Sequence, residues 1–285
     1  LTTGALTLGA RLRADAVRLA ASTQVGFDEA VRALARLAQV RLGLSSAQRI
    51  AREAEPVPAT MLVQYAADVE RLVFGVPIAY VLGEQPFRDH VFRVTPDVLI
   101  PRADTEVLVA CVLEAVSVER PARILDLGTG SGCIAISIAL ARPACEVVAV
   151  DASLAALAVA RENAERLGAG NVRFLVSDWY SALEGERFDL IASNPPYIAD
   201  GDPHLAQLIH EPRRALVAGD DGLGDIRRIT AGAREHLGSA GVLMVEHGHD
   251  QRDAVTGIFR ARGFRATVGH DDLAGRPRVV AGACT

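Results

Sequence analysis

The segment 194-NPPY-197 joins a carboxamide, two prolines and an aromatic ring, directly after the apolar run 188-FDLIAS-193. Proline has a locked φ and no backbone N–H, so this pair continues neither a helix nor a central strand. The residue before Pro195 is held extended as well, and Asn194 is therefore aimed by stiff backbone. Its carboxamide oxygen and a nearby backbone carbonyl make two acceptors for one planar –NH2 group, on which Tyr197 can stack. The constellation Asn194, Pro195, Pro196 and Tyr197 suits a conjugated nitrogen, a poor nucleophile such as an amide or an exocyclic base amine. Fixing both N–H bonds presents that nitrogen in line to a methyl donor. The two acceptors also stabilise the positive charge growing on it. No carboxylate base is required within the segment, because a protonated N-methyl amide sheds its proton readily.

A methyl donor needs its own site, and two features supply candidates. The turn 126-DLGTGSG-132 follows an apolar run and precedes a helix expected to begin near Cys133. Glycines at a strand–helix turn let the backbone approach a ligand where a Cβ would collide. Gly128, Thr129, Gly130, Ser131 and Gly132 are the residues concerned. Their spacing is not that of a P-loop, and the chain has no Lys to reach a phosphate. Asp151 closes the next apolar run, where a carboxylate can accept both hydroxyls of a ribose. On the turn and the acid alone, a dinucleotide and S-adenosylmethionine both remain open. The Asn-Pro-Pro-Tyr segment selects S-adenosylmethionine, with S-adenosylhomocysteine as product.

These residues must be held by a sheet. Apolar strands are expected at 123-RILDLG-128, 146-EVVAVD-151, 172-VRFLVS-177, 188-FDLIAS-193 and 241-GVLMVE-246, with helical stretches between them. One of those, 153-SLAALAVARENAERLG-168, opens on a Ser N-cap and ends at Gly. Strand–helix alternation with near-continuous apolar strands indicates an α/β fold, a mostly parallel sheet covered on both faces. Residues 1–84 read instead as a small helical bundle. Leu62, Tyr65, Val69 and Leu72 line one face of a helix that stops before Gly75 and Pro77, and Val31, Leu34 and Leu37 line another. Between the two regions, 86-PFRDHVFRVTPDVLIP-101 has the alternation of a hairpin linker. The expected domains are 1–84 and 85–285.

Bulk properties narrow the function. The net charge of −5 argues against a surface built to grip a phosphate backbone. No apolar run reaches bilayer-spanning length, and no charged-then-apolar leader opens the chain. Cys111, Cys133, Cys145 and Cys284 are scattered without a C-x-x-C pair, and the histidines form no spaced ligand set, so no metal is expected. Isolated thiols suit the reducing cytosol, and a cytoplasmic location is the expectation.

Taken together, the chain resembles the release factor glutamine methyltransferases. Besides the motifs above, the resemblance runs through 74-FGVPIAYVLG-83, 99-LIPRADTE-106, 178-DWY-180, 211-EP, 215-AL, 222-GL, 246-EHG-248 and 263-GF. It implies a class I S-adenosylmethionine-dependent methyltransferase, Rossmann-like, with an N-terminal helical domain for substrate recognition. It further implies methylation of the glutamine amide in the Gly-Gly-Gln motif of peptide-chain release factors. By the same resemblance, Gly128–Gly132 pass under the methionine part of the cofactor, Asp151 holds the ribose and Trp179 lies beside the adenine. Asn194 to Tyr197 clasp the substrate glutamine, and Asn194 also borders the cofactor. Arg102, Asp104 and Glu106 read equally as functional residues or as a surface salt-bridge cluster or helix start.

The departures are Ala103 where a second Pro is common, Arg88 after Phe87, and 275-GRPR-278 in place of a more acidic stretch. Two rival readings have other consequences. A methyltransferase for an exocyclic amine of DNA or RNA must extract its base and usually has a basic groove, which the charge disfavours. A non-catalytic S-adenosylmethionine-binding module has no need of paired acceptors.

Overall fold

The computed structural model describes residues 6–23, 25–57 and 59–284. Residues 1–5, 24 and 58 of the expected helical domain, and residue 285 of the second, lie outside the described residues. The chain divides into two compact units between Gly83 and Glu84.

The first unit is helical: α1 (Leu8–Ser22), α2 (Phe27–Leu42), α3 (Ser46–Ala51), α4 (Ala59–Val73) and α5 (Ile78–Leu82). On α4, Tyr65, Val69 and Leu72 are buried, and Leu62 packs against them partly buried. The stripe expected on α2 needs correction. Val31 is 38% exposed, while Ala30, Leu34, Leu37 and Ala38 form the buried face. Two successive steps of three fall behind a 3.6-residue turn, whereas steps of four, three and one stay on one side. Asp68, fully buried, accepts from Arg41 Nε at 2.5 Å, and the same guanidinium donates to the Val81 carbonyl at 2.9 Å. Arg71 donates to the neighbouring Tyr80 carbonyl at 3.2 Å. The buried charge thus holds two arginines over carbonyls in the last turn of α5.

The second unit opens with the hairpin β1 (Glu84–Phe87) and β2 (His90–Arg93) and is then built on β3 (Arg123–Leu127), β4 (Glu146–Asp151), β5 (Val172–Val176), β6 (Phe188–Ser193), β7 (Leu237–Glu246), β8 (Arg265–Asp271) and β9 (Pro277–Ala283). Its helices are α6 (Glu106–Ala115), α7 (Cys133–Ala141), α8 (Leu154–Leu167), α9 (Gly224–His236) and α10 (Arg252–Ala261). Phe87 and Phe92 bring the hairpin into this unit's core. A seven-stranded sheet runs in the order β5-β4-β3-β6-β7-β9-β8. Strands β3 to β7 are mutually parallel, and β9 is antiparallel to both β7 and β8. Strands β8 and β9 add to those expected from the sequence, and β7 starts earlier than its apolar run.

Period-two alternation sends neighbouring strand residues to opposite faces. Ile124, Val147, Leu190 and Met244 pack with α6 and α7 residues such as Leu108 and Ile134. Leu125, Val148, Ile191 and Leu243 pack on the other side with Ile226 and Ile229 of α9 and Phe259 of α10. Both faces are covered, as a parallel sheet requires. The winding reverses between β3 and β6, and the crevice outside the carboxyl ends of strands at such a point is where open α/β sheets bind ligands. Among the described residues, no helix is long and apolar enough to cross a membrane.

Candidate active site

Four sequence motifs leave the sheet at that edge. The turn 128–132 follows β3, Asp151 ends β4, Asn194 follows β6 and Glu246 ends β7. Register alone therefore sets them side by side.

The glycine-rich turn is fixed by the next strand. Gly128 and Thr129 donate their N–H groups to the Val150 carbonyl at 2.9 Å each, and Gly130 N–H donates to Asp151 Oδ2 at 2.9 Å. Gly132 must lack a side chain on two counts. Its φ is +82°, and a Cβ would stand 2.7 Å from Ile136 Cδ1 and 3.2 Å from Ala160 Cβ. The turn is thereby seated against α7 and α8. Within it, buried Asp126 accepts from Thr129 Oγ1 at 2.7 Å and Ala135 N–H at 3.2 Å. Burial pushes the Asp126 carboxyl up to about 7, with those two donors holding it down. Asp126 is fully buried and braces the loop.

Asp151 has a different arrangement. Its Oδ1 accepts from Ser153 N–H at 2.8 Å and its Oδ2 from Gly130 N–H, which leaves each oxygen a further lone pair. A cavity of about 370 Å³ opens in front of it. Gly128, Gly130, Asp151, Trp179, Asn194 and Pro196 all line this cavity, so it collects residues from the glycine-rich turn, the end of β4, the 178–180 segment and the Asn-Pro-Pro-Tyr segment. Thr129, Ser131, Gly132 and Pro195 are buried behind its wall, and Tyr197 packs partly buried against the core. Burial pushes the Tyr197 phenol above its ordinary range.

Trp179 sits in the left-handed region at φ +51°. Three contacts make that turn rigid. Ser177 Oγ donates to the Trp179 carbonyl at 2.7 Å and accepts from Ala182 N–H at 3.0 Å, while Ser181 Oγ accepts from Asp178 N–H at 3.0 Å. The ring lies against Gly128, where a Cβ would be 3.5 Å from Trp179 Cζ3.

Several site residues carry no role in the sequence reading. Asp97, Asp178 and Asp225 join Asp151 on the cavity wall, opposite only Arg214 and Arg228. That excess of carboxylates suits a cationic ligand better than a phosphate. In the segment 102–106, Arg102 pairs with buried Glu211, whose other oxygen accepts from Ile100 N–H at 3.1 Å. Asp104 pairs with Arg278 at 2.7 Å, Thr105 Oγ1 accepts from Asn194 Nδ2 at 3.0 Å, and Glu106 Oε1 accepts from Arg88 N–H at 3.0 Å. Gln251 Nε2 donates to the Tyr197 carbonyl at 3.0 Å while its Oε1 accepts from Gly248 N–H at 2.9 Å, tying the loop after β6 to the loop after β7. Gly222 lies under the same loop, where a Cβ would be 2.4 Å from the Tyr197 carbonyl oxygen.

Glu246 is fully buried, and neither of its oxygens has a hydrogen-bond partner among the described residues. Burial pushes its carboxyl up to about 8, while the Thr105 hydroxyl, the Arg278 guanidinium and the Asn194 amide pull it back. The unfolded glutamate titrates near ~4.3. A folded-state pKa raised above that value favours the fold fully at low pH and loses the advantage as pH climbs through about 8. Urea midpoints should therefore fall between pH 5 and pH 8.5. Glu246→Gln, neutral throughout, should shrink the fall, to which Asp126 also contributes. An equal fall in the variant would mean that Glu246 is not its source.

The chain was compared with known proteins. Residues 103–223 match the family described as Methyltransferase small domain, and residues 15–83 match the PrmC N-terminal domain. A release factor glutamine methyltransferase of Bordetella pertussis is 47% identical over 249 residues, covering 86% of this chain and 92% of that protein. The protein of the same name in Escherichia coli K12 is 45% identical over 210 residues, covering 73% and 76%. Among solved structures, a Thermus thermophilus 16S rRNA methyltransferase in complex with AdoMet and guanosine superposes with TM-score 0.54 at 21% identity, over 71% of this chain and 50% of that one. At that identity the likeness speaks for the fold.

Proposed function

This chain belongs to the release factor glutamine methyltransferase family, and from that premise we propose that it methylates the Gly-Gly-Gln glutamine of peptide-chain release factors with S-adenosylmethionine. One observation carries the reading: the glycine-rich turn, Asp151 and Asn194 line a single cavity at the carboxyl ends of adjacent parallel strands.

The residues present fit the cofactor. Asp151 keeps a free lone pair on each oxygen for the two ribose hydroxyls. The indole of Trp179 and the bare backbone of Gly128 and Gly130 offer flat, close surfaces, and the acidic wall suits a sulfonium and an ammonium. When bound, the cofactor supplies an electrophilic methyl group. The rest falls to this chain. Asn194 Oδ1 and a backbone carbonyl of the 194–197 segment accept the two N–H bonds of the glutamine amide. That grip turns the nitrogen lone pair along the line of transfer and offsets the charge gained on nitrogen as the new N–C bond forms. The surplus proton then leaves to water, since an N-protonated amide is strongly acidic. The four cysteines are free thiols, which fits work in the reducing cytoplasm. Residues 1–84 would serve to recognise the release factor, because one side chain offers too few atoms for selection.

The test is incubation with labelled S-adenosylmethionine and separate pools of release factor, DNA and RNA. Label on the Gly-Gly-Gln glutamine, located by mass spectrometry, is the expected result. Label confined to nucleic acid would overturn the substrate assignment.

A further inference from the structure

A loop that contains two prolines has few places where the rest of the protein can fasten it. Pro195 and Pro196 have no N–H to give, so the backbone of the 194–197 segment must be fastened at its ends. Strand β6 fixes the first end, through a register with β7 that runs to Ser193. The second end is the peptide unit between Tyr197 and Ile198.

That peptide unit is gripped from both edges. Its N–H, on Ile198, donates to the Leu216 carbonyl at 2.9 Å, and its carbonyl, on Tyr197, accepts from Gln251 Nε2 at 3.0 Å. One bond alone would let the plane swivel about it, and two on opposite edges stop the swivel. Gln251 is itself anchored. Its Oε1 accepts from Gly248 N–H at 2.9 Å and its own N–H donates to the Gly248 carbonyl at 2.9 Å, which closes 248–251 into a turn. The turn leads directly into α10, whose Val255 and Phe259 are buried in the core. With a carbonyl on one side and an N–H on the other, the Gln251 amide has one orientation open to it, –NH2 toward Tyr197 and oxygen toward Gly248. The space around it is tight. A Cβ on Gly222 would stand 2.4 Å from the Tyr197 carbonyl oxygen and 3.0 Å from Gln251 Nε2, and one on Gly248 would stand 3.0 Å from Gln251 Oε1. These are the glycines of 222-GL and 246-EHG-248, stretches to which the cofactor and substrate readings give no task.

We propose that Gln251 is a positioning residue that holds the far end of the 194–197 segment in place for the substrate amide. The proposal rests on the glutamine-amide reading of the site. Gln251 acts through the Tyr197 carbonyl and stands outside the residues that line the cavity. Both prolines have a locked φ, so a swing of the Tyr197–Ile198 plane is passed back along the segment rather than absorbed. It reaches Pro196 on the cavity wall and the backbone carbonyl that takes one N–H of the substrate. Transfer in line is sensitive to displacements of about 1 Å.

The experiment compares two variants of the full-length enzyme on an intact release factor. Gln251→Glu keeps an oxygen for Gly248 N–H and replaces the –NH2 group with a second oxygen, which repels the Tyr197 carbonyl. Gln251→Met is of similar length and makes neither bond. Both should lower kcat by about tenfold or more, as loss of alignment does. The KM for release factor and the dissociation constant of S-adenosylmethionine should change far less. Thermal midpoints should fall for Gln251→Met and stay near wild type for Gln251→Glu, which retains the turn. Wild-type kcat in Gln251→Glu beside a slowed Gln251→Met would show that Gln251 only closes the turn before α10, and would overturn the proposal. So would a loss of rate in Gln251→Glu matched by an equal loss of cofactor affinity or of folded protein. If Gln251→Met does not fold, Gln251→Glu decides alone by the same criteria. Methylation of the Gly-Gly-Gln glutamine by the unaltered enzyme is the control: its absence defeats the functional reading, whereas the two variants judge the positioning alone.

Discussion

Asn194→Ala should reduce turnover by ~10²-fold or more, the loss that follows removal of one preorganised polar group from an active site. On the proposed mechanism the substitution takes away the acceptor for one amide N–H, so the nitrogen should lose both its orientation and part of its charge stabilisation. Pro195 and Pro196 remain, and the backbone path of the loop should survive, because it is held by Gln251 at the Tyr197 carbonyl and by the Ile198–Val217 bridge. Affinity for S-adenosylmethionine should change far less than kcat. Single-turnover kinetics with a release factor, together with calorimetry of cofactor binding, separates the two. Methyl transfer near the wild-type rate would show that the carboxamide is not the clasp.

Asp151→Ala should have the opposite profile. Hydrogen bonds to a charged acceptor contribute about 1.5–3 kcal/mol, so cofactor affinity should fall by roughly 10- to 150-fold. Some of that loss is indirect. The carboxylate also accepts from Gly130 N–H, and without it the glycine-rich turn loses a tie at its centre. Asp151→Asn retains one acceptor oxygen and should lie between wild type and Ala. Saturating S-adenosylmethionine should recover much of the rate in both variants, which an acceptor-side lesion would not allow. Calorimetry giving an unchanged dissociation constant for Asp151→Ala would end the ribose assignment.

What can be read from sequence follows a physical divide. Strands β3, β4 and β6 are nearly continuous apolar runs because both faces of each are covered, and such runs stand out in a sequence. Strand β8 reads RATVGHD and is largely exposed, so polar and charged residues hide its extended backbone. The same divide holds within the site. Asn194, Asp151 and the glycines are legible because proline, strand end and turn each constrain the backbone locally. The contact of Thr105 with Asn194 is not, since it depends on a meeting of residues 105 and 194 that only the fold creates. Arg278 is similar: within 275-GRPR-278 it stands out as a departure, yet it is buried and pairs with Asp104 and Asp272. Val31 leaves its expected stripe for a simpler reason, the count of residues around a helical turn.

The position of β9 bears on the order in which the protein can be made. Val279, Val280 and Ala281 are buried, and their strand lies between β7 and β8, with neighbours on both sides. Chain synthesis reaches residues 277–283 only after every other strand of the sheet has been laid down. Until then β7 has one bare edge, and β8 has no strand to pair with. A nascent chain can therefore pair β3 to β7, and with them bring together the glycine-rich turn, Asp151 and Asn194, before β9 closes the open edge of β7. Interruption late in translation would leave that edge of β7 open to pairing with another chain.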